Sequence, residues 1–216
     1  MNEKICISIG NVGFNTCMQL ASVFPLVEVR LDLMDLEPEN IELLSLRCRK
    51  WVATCRPGKY SERERTVQLS ASIRSGATYV DIEYESEDTY RKPLVDLAKR
   101  MGSKVIISYH DFDQTANTKY LEEIIHDSQS KGADFVKIAT FAQSSGDSAR
   151  IMSLYEKHDH LIAFAMGDIG KITRIAAPIL GAEFTFASID ETHITAPGQL
   201  TASQMEVMLQ ILETSQ

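Results

Sequence analysis

Short apolar runs alternate with amphipathic stretches along the whole chain. Lys4–Ile9, Leu26–Leu31, Trp51–Cys55, Tyr79–Glu83, Val105–Tyr109, Phe135–Ala139, Leu161–Ala165 and Phe184–Ala187 read as strands, rich in β-branched and aromatic residues. Between them Glu62–Ser75, Pro93–Met101, Asn117–Lys131 and Gly146–Lys157 carry the spacing of helices with one buried face. Ser61 with Glu64, and Thr201 with Gln204, have the three-residue spacing of a capping box, in which each side chain satisfies a free backbone N–H. Gly76, Gly102, Gly132 and Gly181 stand where a left-handed residue closes a helix. Strand and helix in regular alternation, with no Pro- or Ser-rich linker, predict a parallel closed sheet. The predicted architecture is a (β/α)8 TIM barrel forming a single domain over residues 1–216. A doubly wound open sheet is the alternative. It ordinarily carries a glycine-rich phosphate loop after its first strand, and Ile9-Gly10-Asn11-Val12-Gly13 does not supply one.

The strands also say which way they face. In Val27-Glu28-Val29-Arg30-Leu31-Asp32 the apolar residues take one side and the charges the other, and Tyr79-Val80-Asp81-Ile82-Glu83-Tyr84-Glu85 repeats this. Helices cover the outside of a parallel barrel, so the charged side points inward, towards the strand ends where such barrels hold their active sites.

Composition adds little to this except by exclusion. The 216 residues are 44% hydrophobic and 24% charged, as in ordinary globular chains. A net charge of -8 gives no reason to bind nucleic acid or an anionic membrane, and makes any local group of arginines worth explaining. Cys6, Cys17, Cys48 and Cys55 lack metal-type spacing and read as buried free thiols. Neither a secretory leader nor a membrane-length apolar run is present, so a cytoplasmic location is expected.

Lys137 lies in the middle of the apolar strand Phe135–Ala139. Burial there should depress its pKa and free the amine as a nucleophile, whereas the structural alternative is a lysine whose head snorkels to water or pairs with a carboxylate. On the preceding strand, Ile106-Ile107-Ser108-Tyr109-His110 ends in a histidine that can reach the same space. A histidine beside a buried lysine is the general base that imine chemistry requires. Arg30, Arg56 and Arg174 form the local basic group, suited to a carboxylate substrate through paired charge-assisted hydrogen bonds. For Arg30, balancing Glu28 is an equal alternative. His126, His158 and His160 read as solvated. Thr195-Ala196-Pro197-Gly198-Gln199 is a turn that sets Gln199 above the barrel.

Taken in order, these segments resemble the type I 3-dehydroquinate dehydratases of the shikimate pathway. The matching points are Glu28–Asp32, Thr54–Pro57, Asp81–Glu83, Ser108–Phe112, Lys137–Ala139, Met166-Gly167 with Thr173-Arg174, and Ala196–Gln199. The resemblance implies conversion of 3-dehydroquinate to 3-dehydroshikimate and water through a lysine Schiff base, with no metal or organic cofactor, in a homodimeric barrel. By the same resemblance the imine-forming lysine is Lys137, the catalytic histidine His110 and the carboxylate-binding arginine Arg174. Glu28, Arg30, Arg56, Thr195 and Gln199 fall at substrate-contacting positions.

Three departures accompany the match. The family's acidic-Gly-Gly segment, whose glutamate helps orient the histidine, is here Gly58-Lys59-Tyr60-Ser61-Glu62, with Tyr60 at the glutamate position. Glu62, Glu83 or another acid then takes that part. Thr115-Ala116 replaces the usual Thr-Pro, and Thr195 the usual serine. The first strand follows the amino terminus directly, so a hairpin floor is absent or differently built. The rival readings are a Schiff-base aldolase or transaldolase, which would need a phosphate nest in the later loops, and a catalytically silent ligand-binding barrel.

Overall fold

The computed structural model describes residues 2–213. Strands β1 (Ile5–Ile9), β2 (Leu26–Arg30), β3 (Lys50–Thr54), β4 (Tyr79–Glu83), β5 (Lys104–Asp111), β6 (Phe135–Phe141), β7 (Leu161–Met166) and β8 (Thr185–Ser188) alternate with helices. The helices are α1 (Phe14–Val23), α2 (Pro38–Ser45), α3 (Glu62–Arg74), α4 (Asp88–Met101), α5 (Thr118–Ser130), α6 (Ser145–Ser153), α7 (Lys171–Leu180) and α8 (Ala202–Glu213). All ladders are parallel, in the order β7-β6-β5-β4-β3-β2-β1-β8. The sheet is thus a nearly closed barrel. At the β7–β8 seam side chains meet, with the Phe164 and Phe186 rings 5.9 Å apart.

The alternation read from the sequence is the one observed. Val27, Val29, Val80 and Ile82 pack outward into the core shared with the helices, while Glu28 and Asp81 are buried in the interior. Below the charged layer Cys6, Leu26, Val52, Ile106 and Ile162 fill the barrel with aromatic residues. Tyr79 stands edge-on to Phe135 and Phe184 at 6.0 and 5.2 Å, and its hydroxyl donates to Glu183 at 2.7 Å. These rings make the floor from side chains, an apolar plug that keeps water from entering beneath the charges.

Both capping boxes form: Ser61 Oγ accepts from Glu64 N while Glu64 accepts from Ser61 N, and Thr201 and Gln204 exchange the same pair. Gly76, Gly102, Gly132 and Gly181 have φ between 81° and 114°. The element ends differ from the sequence reading in instructive places. β5 and β6 each run two residues further, carrying His110 and Thr140 within the ladder, because long-range pairing extends strands past their apolar run. α4 begins at Asp88 rather than Pro93, with the proline inside it. α6 stops at Ser153 and tightens into a 3-10 turn over Leu154–Glu156. Cys6, Cys17 and Cys55 are buried as expected, but Cys48 is only half-buried, donating towards Leu44 O.

Candidate active site

A cavity of about 430 Å³ opens at the C-terminal ends of the strands. Lys137, His110, Glu28, Arg30, Arg56, Arg174, Thr195 and Gln199 all line it. Residues spread over most of the chain thus meet in one space, since each sits on an interior-facing strand position, in a loop beyond a strand or, for Arg174, in the first turns of the following helix.

Lys137 is 5% exposed, and its strand register places it beside Ser108. Nζ stands 4.1 Å above the Phe186 ring. Of the surroundings considered for this lysine, pairing with a carboxylate is what the barrel contains. Asp81 Oδ2 accepts from Nζ at 3.3 Å and Glu28 Oε1 lies at 3.9 Å, so the lysine head is paired with two buried carboxylates. Glu28 is itself held by Ser8 Oγ at 2.7 Å and Thr54 Oγ1 at 2.9 Å. Arg30 does not balance Glu28: it forks onto Asp32, at 3.0 and 2.7 Å.

Asp81, which the sequence reading left without a role, is the hub. It is fully buried and accepts from Arg56 Nη2 at 2.7 Å and Ser108 Oγ at 2.5 Å besides Lys137. Burial alone would raise its pKa, but the charges of Arg56 and Lys137 overturn this and hold it well below the usual carboxylate range. Arg56 bridges on to Glu83 at 2.8 Å, and Arg65 pairs with the second oxygen of Glu83. The available signal for this hub was the period-two run Asp81, Glu83 on the face shared with Glu28 and Arg30.

His110 follows Ser108 by two positions on β5 and faces the same cavity, its ring stacked on Phe112 at 6.0 Å. Burial first, then the charges of Arg56 and Lys137, drive its pKa well below the ordinary histidine value. The imidazole is thereby held neutral, with a lone pair free to act as a base, while its protonated form is disfavoured by the same surroundings. Neither acid offered as its partner is available: Glu62 is exposed on the first turn of α3, and Glu83 is engaged by two arginines. Tyr60 turns away, donating to Met34 O at 2.9 Å. Of the remaining histidines, His158 departs from expectation, being half-buried against His126 and 3.9 Å from Glu122.

Arg174 lies in the first turns of α7 and is fully buried over the Phe164 ring at 4.3 Å. Nη2 donates to Pro197 O at 3.3 Å, while Nε and Nη1 have no partner. Burial pushes its pKa down to about 9. A buried guanidinium with two free donors on a cavity wall is a site for an anion. Gln199 sits opposite, its Oε1 accepting from Thr195 N and Oγ1 and its Nε2 reaching Ser8 Oγ at 3.5 Å. The two loops touch closely: Gly198 has φ +70°, and a Cβ there would fall 2.4 Å from Gly167 O. Thr115 Oγ1 bonds Thr140 and Phe141 O, while Asn117 caps α5 in place of the usual proline start.

Fold and cavity together define an α/β-barrel enzyme with a lysine, a histidine and an anion-binding arginine at the mouth. The family model for type I 3-dehydroquinase matches residues 10–216. The chain is 34% identical over 217 residues to the 3-dehydroquinate dehydratase of Desulfotalea psychrophila, covering 94% of this chain and 96% of that one. It is 38% identical over 193 residues to the Pyrococcus abyssi 3-dehydroquinate dehydratase, covering 87% of each. In structure it is similar to the type I 3-dehydroquinate dehydratase of Clostridium difficile, solved with covalently modified comenic acid, with a TM-score of 0.86 at 22% identity over 99% of this chain and 93% of that one. The chain belongs to the type I 3-dehydroquinase family.

Proposed function

We propose the following division of labour for the dehydration of 3-dehydroquinate to 3-dehydroshikimate, the hydro-lyase reaction and third shikimate-pathway step that this chain carries out. Lys137, as the neutral amine, attacks the ring ketone, and loss of water leaves a protonated imine. His110 relays protons in that step. The imine draws electrons from the adjacent carbon, so that His110 can remove its proton. The imidazolium then returns a proton to the departing hydroxyl as the ring double bond forms. Water finally hydrolyses the imine, releasing product and Lys137. Covalent capture splits one difficult elimination into easier steps.

Asp81 and Glu28 steady the lysine between turnovers. Arg174 and Gln199 hold the substrate carboxylate, and Arg30, Arg56 and Thr195 complete the polar wall, which fixes the ring for proton removal. The observation carrying this reading is one cavity shared by buried Lys137, neutral His110 and the half-satisfied guanidinium of Arg174. The catalytic unit is taken as one barrel domain acting as a cytoplasmic homodimer, in keeping with the resemblance to the family. No helix among the described residues is long and apolar enough to cross a membrane.

Borohydride with substrate tests the assignment, since reduction converts an imine into a stable amine. Activity should be lost and the peptide containing Lys137 should gain the mass of the ligand. His110→Ala should still be labelled while turnover falls at least about a hundredfold, the scale of a positioned base. A label on Lys104 or Lys171, or full activity after treatment, would exclude Lys137.

A further inference from the structure

Arg65 is buried outside the cavity, on the face of α3 that otherwise buries Leu69, Ser72 and Ile73. Taking a guanidinium out of water is costly unless its donors are matched, so a charge in that row requires partners. Those partners converge on one neighbour. Nε donates to Cys55 O at 2.8 Å, the carbonyl of the peptide that leads into Arg56. Nη2 pairs with Glu83 Oε2, while Glu83 Oε1 accepts from Arg56 Nη1 at 2.8 Å. Arg65 therefore holds Arg56 at both ends, by its backbone and, through Glu83, by its guanidinium.

The hold has a local origin. The Ser61–Glu64 capping box fixes where α3 begins, and Arg65 N donates to Ser61 O at 2.9 Å in the first full turn. The side chain then leaves the helix towards the ends of β3 and β4, where Cys55 and Glu83 stand. The Tyr90 ring of α4 covers the guanidinium from 4.8 Å.

Arg56 requires such a fixture. Its side chain is among the most mobile, it stands beyond the end of β3, and it lines the cavity. A carboxylate with both oxygens open draws an arginine into a two-pronged fork. Because Arg65 occupies Glu83 Oε2, Glu83 offers Arg56 one oxygen. The guanidinium of Arg56 is left to straddle two strands, with Nη2 on Asp81 Oδ2 at 2.7 Å and Nη1 on Ser108 Oγ at 2.8 Å as well as on Glu83. We infer that Arg65 is a positioning residue for Arg56: it denies Arg56 the fork on Glu83 and so keeps the guanidinium spread along the cavity wall, where the substrate's polar edge meets it. This rests on the reading of Arg56 as part of the substrate-binding wall.

The test measures steady-state kinetics of Arg65→Met and Arg65→Lys, each alone and combined with Arg56→Ala, together with borohydride trapping at saturating substrate. Methionine keeps an apolar stem against Tyr90 and supplies no donor. Arg65→Met should raise KM about tenfold, the lower end for loss of a charge-assisted contact. Its kcat should fall by less, and Lys137 should still be labelled. Arg65→Lys should recover only part of the KM, since a point charge cannot reach Cys55 O and Glu83 together. In the Arg56→Ala background neither substitution should raise KM further, because Arg65 acts through Arg56. Wild-type KM in both Arg65 variants overturns the inference. So does the same fold increase with and without Arg56, the result that a general loosening of the barrel would give. If Arg65→Met does not fold, Arg65→Lys decides by the same two criteria. Wild-type KM in Arg56→Ala alone overturns the reading of Arg56 and the inference with it, whereas a raised KM there beside unaffected Arg65 variants overturns the inference only.

Discussion

Replacing Arg174 with methionine should make the protein more stable and much worse at holding its substrate. The side chain is fully buried, two of its three nitrogens lack partners, and its pKa is pushed down to about 9. A buried charge held in this way is a folding cost. Well-packed apolar replacements of buried ionic groups often stabilise by about 1–4 kcal/mol. At about 2–4 °C per kcal/mol for a chain of this size, substrate-free Arg174→Met should melt at least about 2 °C above wild type. Burial lowers the folded pKa below the unfolded one, so the penalty is complete at neutral pH and shrinks as pH rises through about 9. The melting difference should shrink with it. Binding moves the other way. A charge-assisted contact is worth about 1.5–3 kcal/mol, which at about 1.4 kcal/mol per decade raises KM about 10- to 150-fold. Arg174→Lys should recover only part, since a point charge cannot make the two-pronged contact. Thermal melts from pH 7 to 10 and steady-state kinetics at two ionic strengths read both effects. Wild-type KM in Arg174→Met would move the carboxylate elsewhere, with Arg56 the next candidate. A lower melting temperature would mean that the Pro197 bond and the Phe164 stack outweigh the buried charge.

Asp81→Asn should cost about 3 kcal/mol at pH 7, because it leaves Lys137 and Arg56 short of a buried counter-charge. The folded pKa is depressed, so this stability is present above the unfolded value near 3.9 and lost as pH falls below it. Urea melts of variant and wild type should converge on acidification past about pH 4, and a constant gap would refute the ion-pair account. Gly198→Ala combines a left-handed backbone with a Cβ pressed onto Gly167 O, so it should destabilise by about 1–3 kcal/mol and raise KM by displacing Pro197 and Gln199. Unchanged melting and KM would show that the two loops part freely.

The barrel was legible because its signal is local. A period of two in Val27–Asp32 and Tyr79–Glu85, interrupted by capped helices, assigns faces without knowledge of any partner. The same locality made Lys137 and His110 readable, as polar residues placed where a strand should be apolar. Which charge meets which was not local. Asp81 reaches Lys137 across 56 positions and from two strands away. The amino-acid order thus determined the strands, their inward faces and the residue types at the mouth. Only closure of the sheet decided that Asp81 is the hub and that Arg174 is left with free donors. Facing depends on backbone alternation, a property of neighbours in sequence, whereas pairing depends on barrel curvature and register, which bring distant strands within a few ångströms.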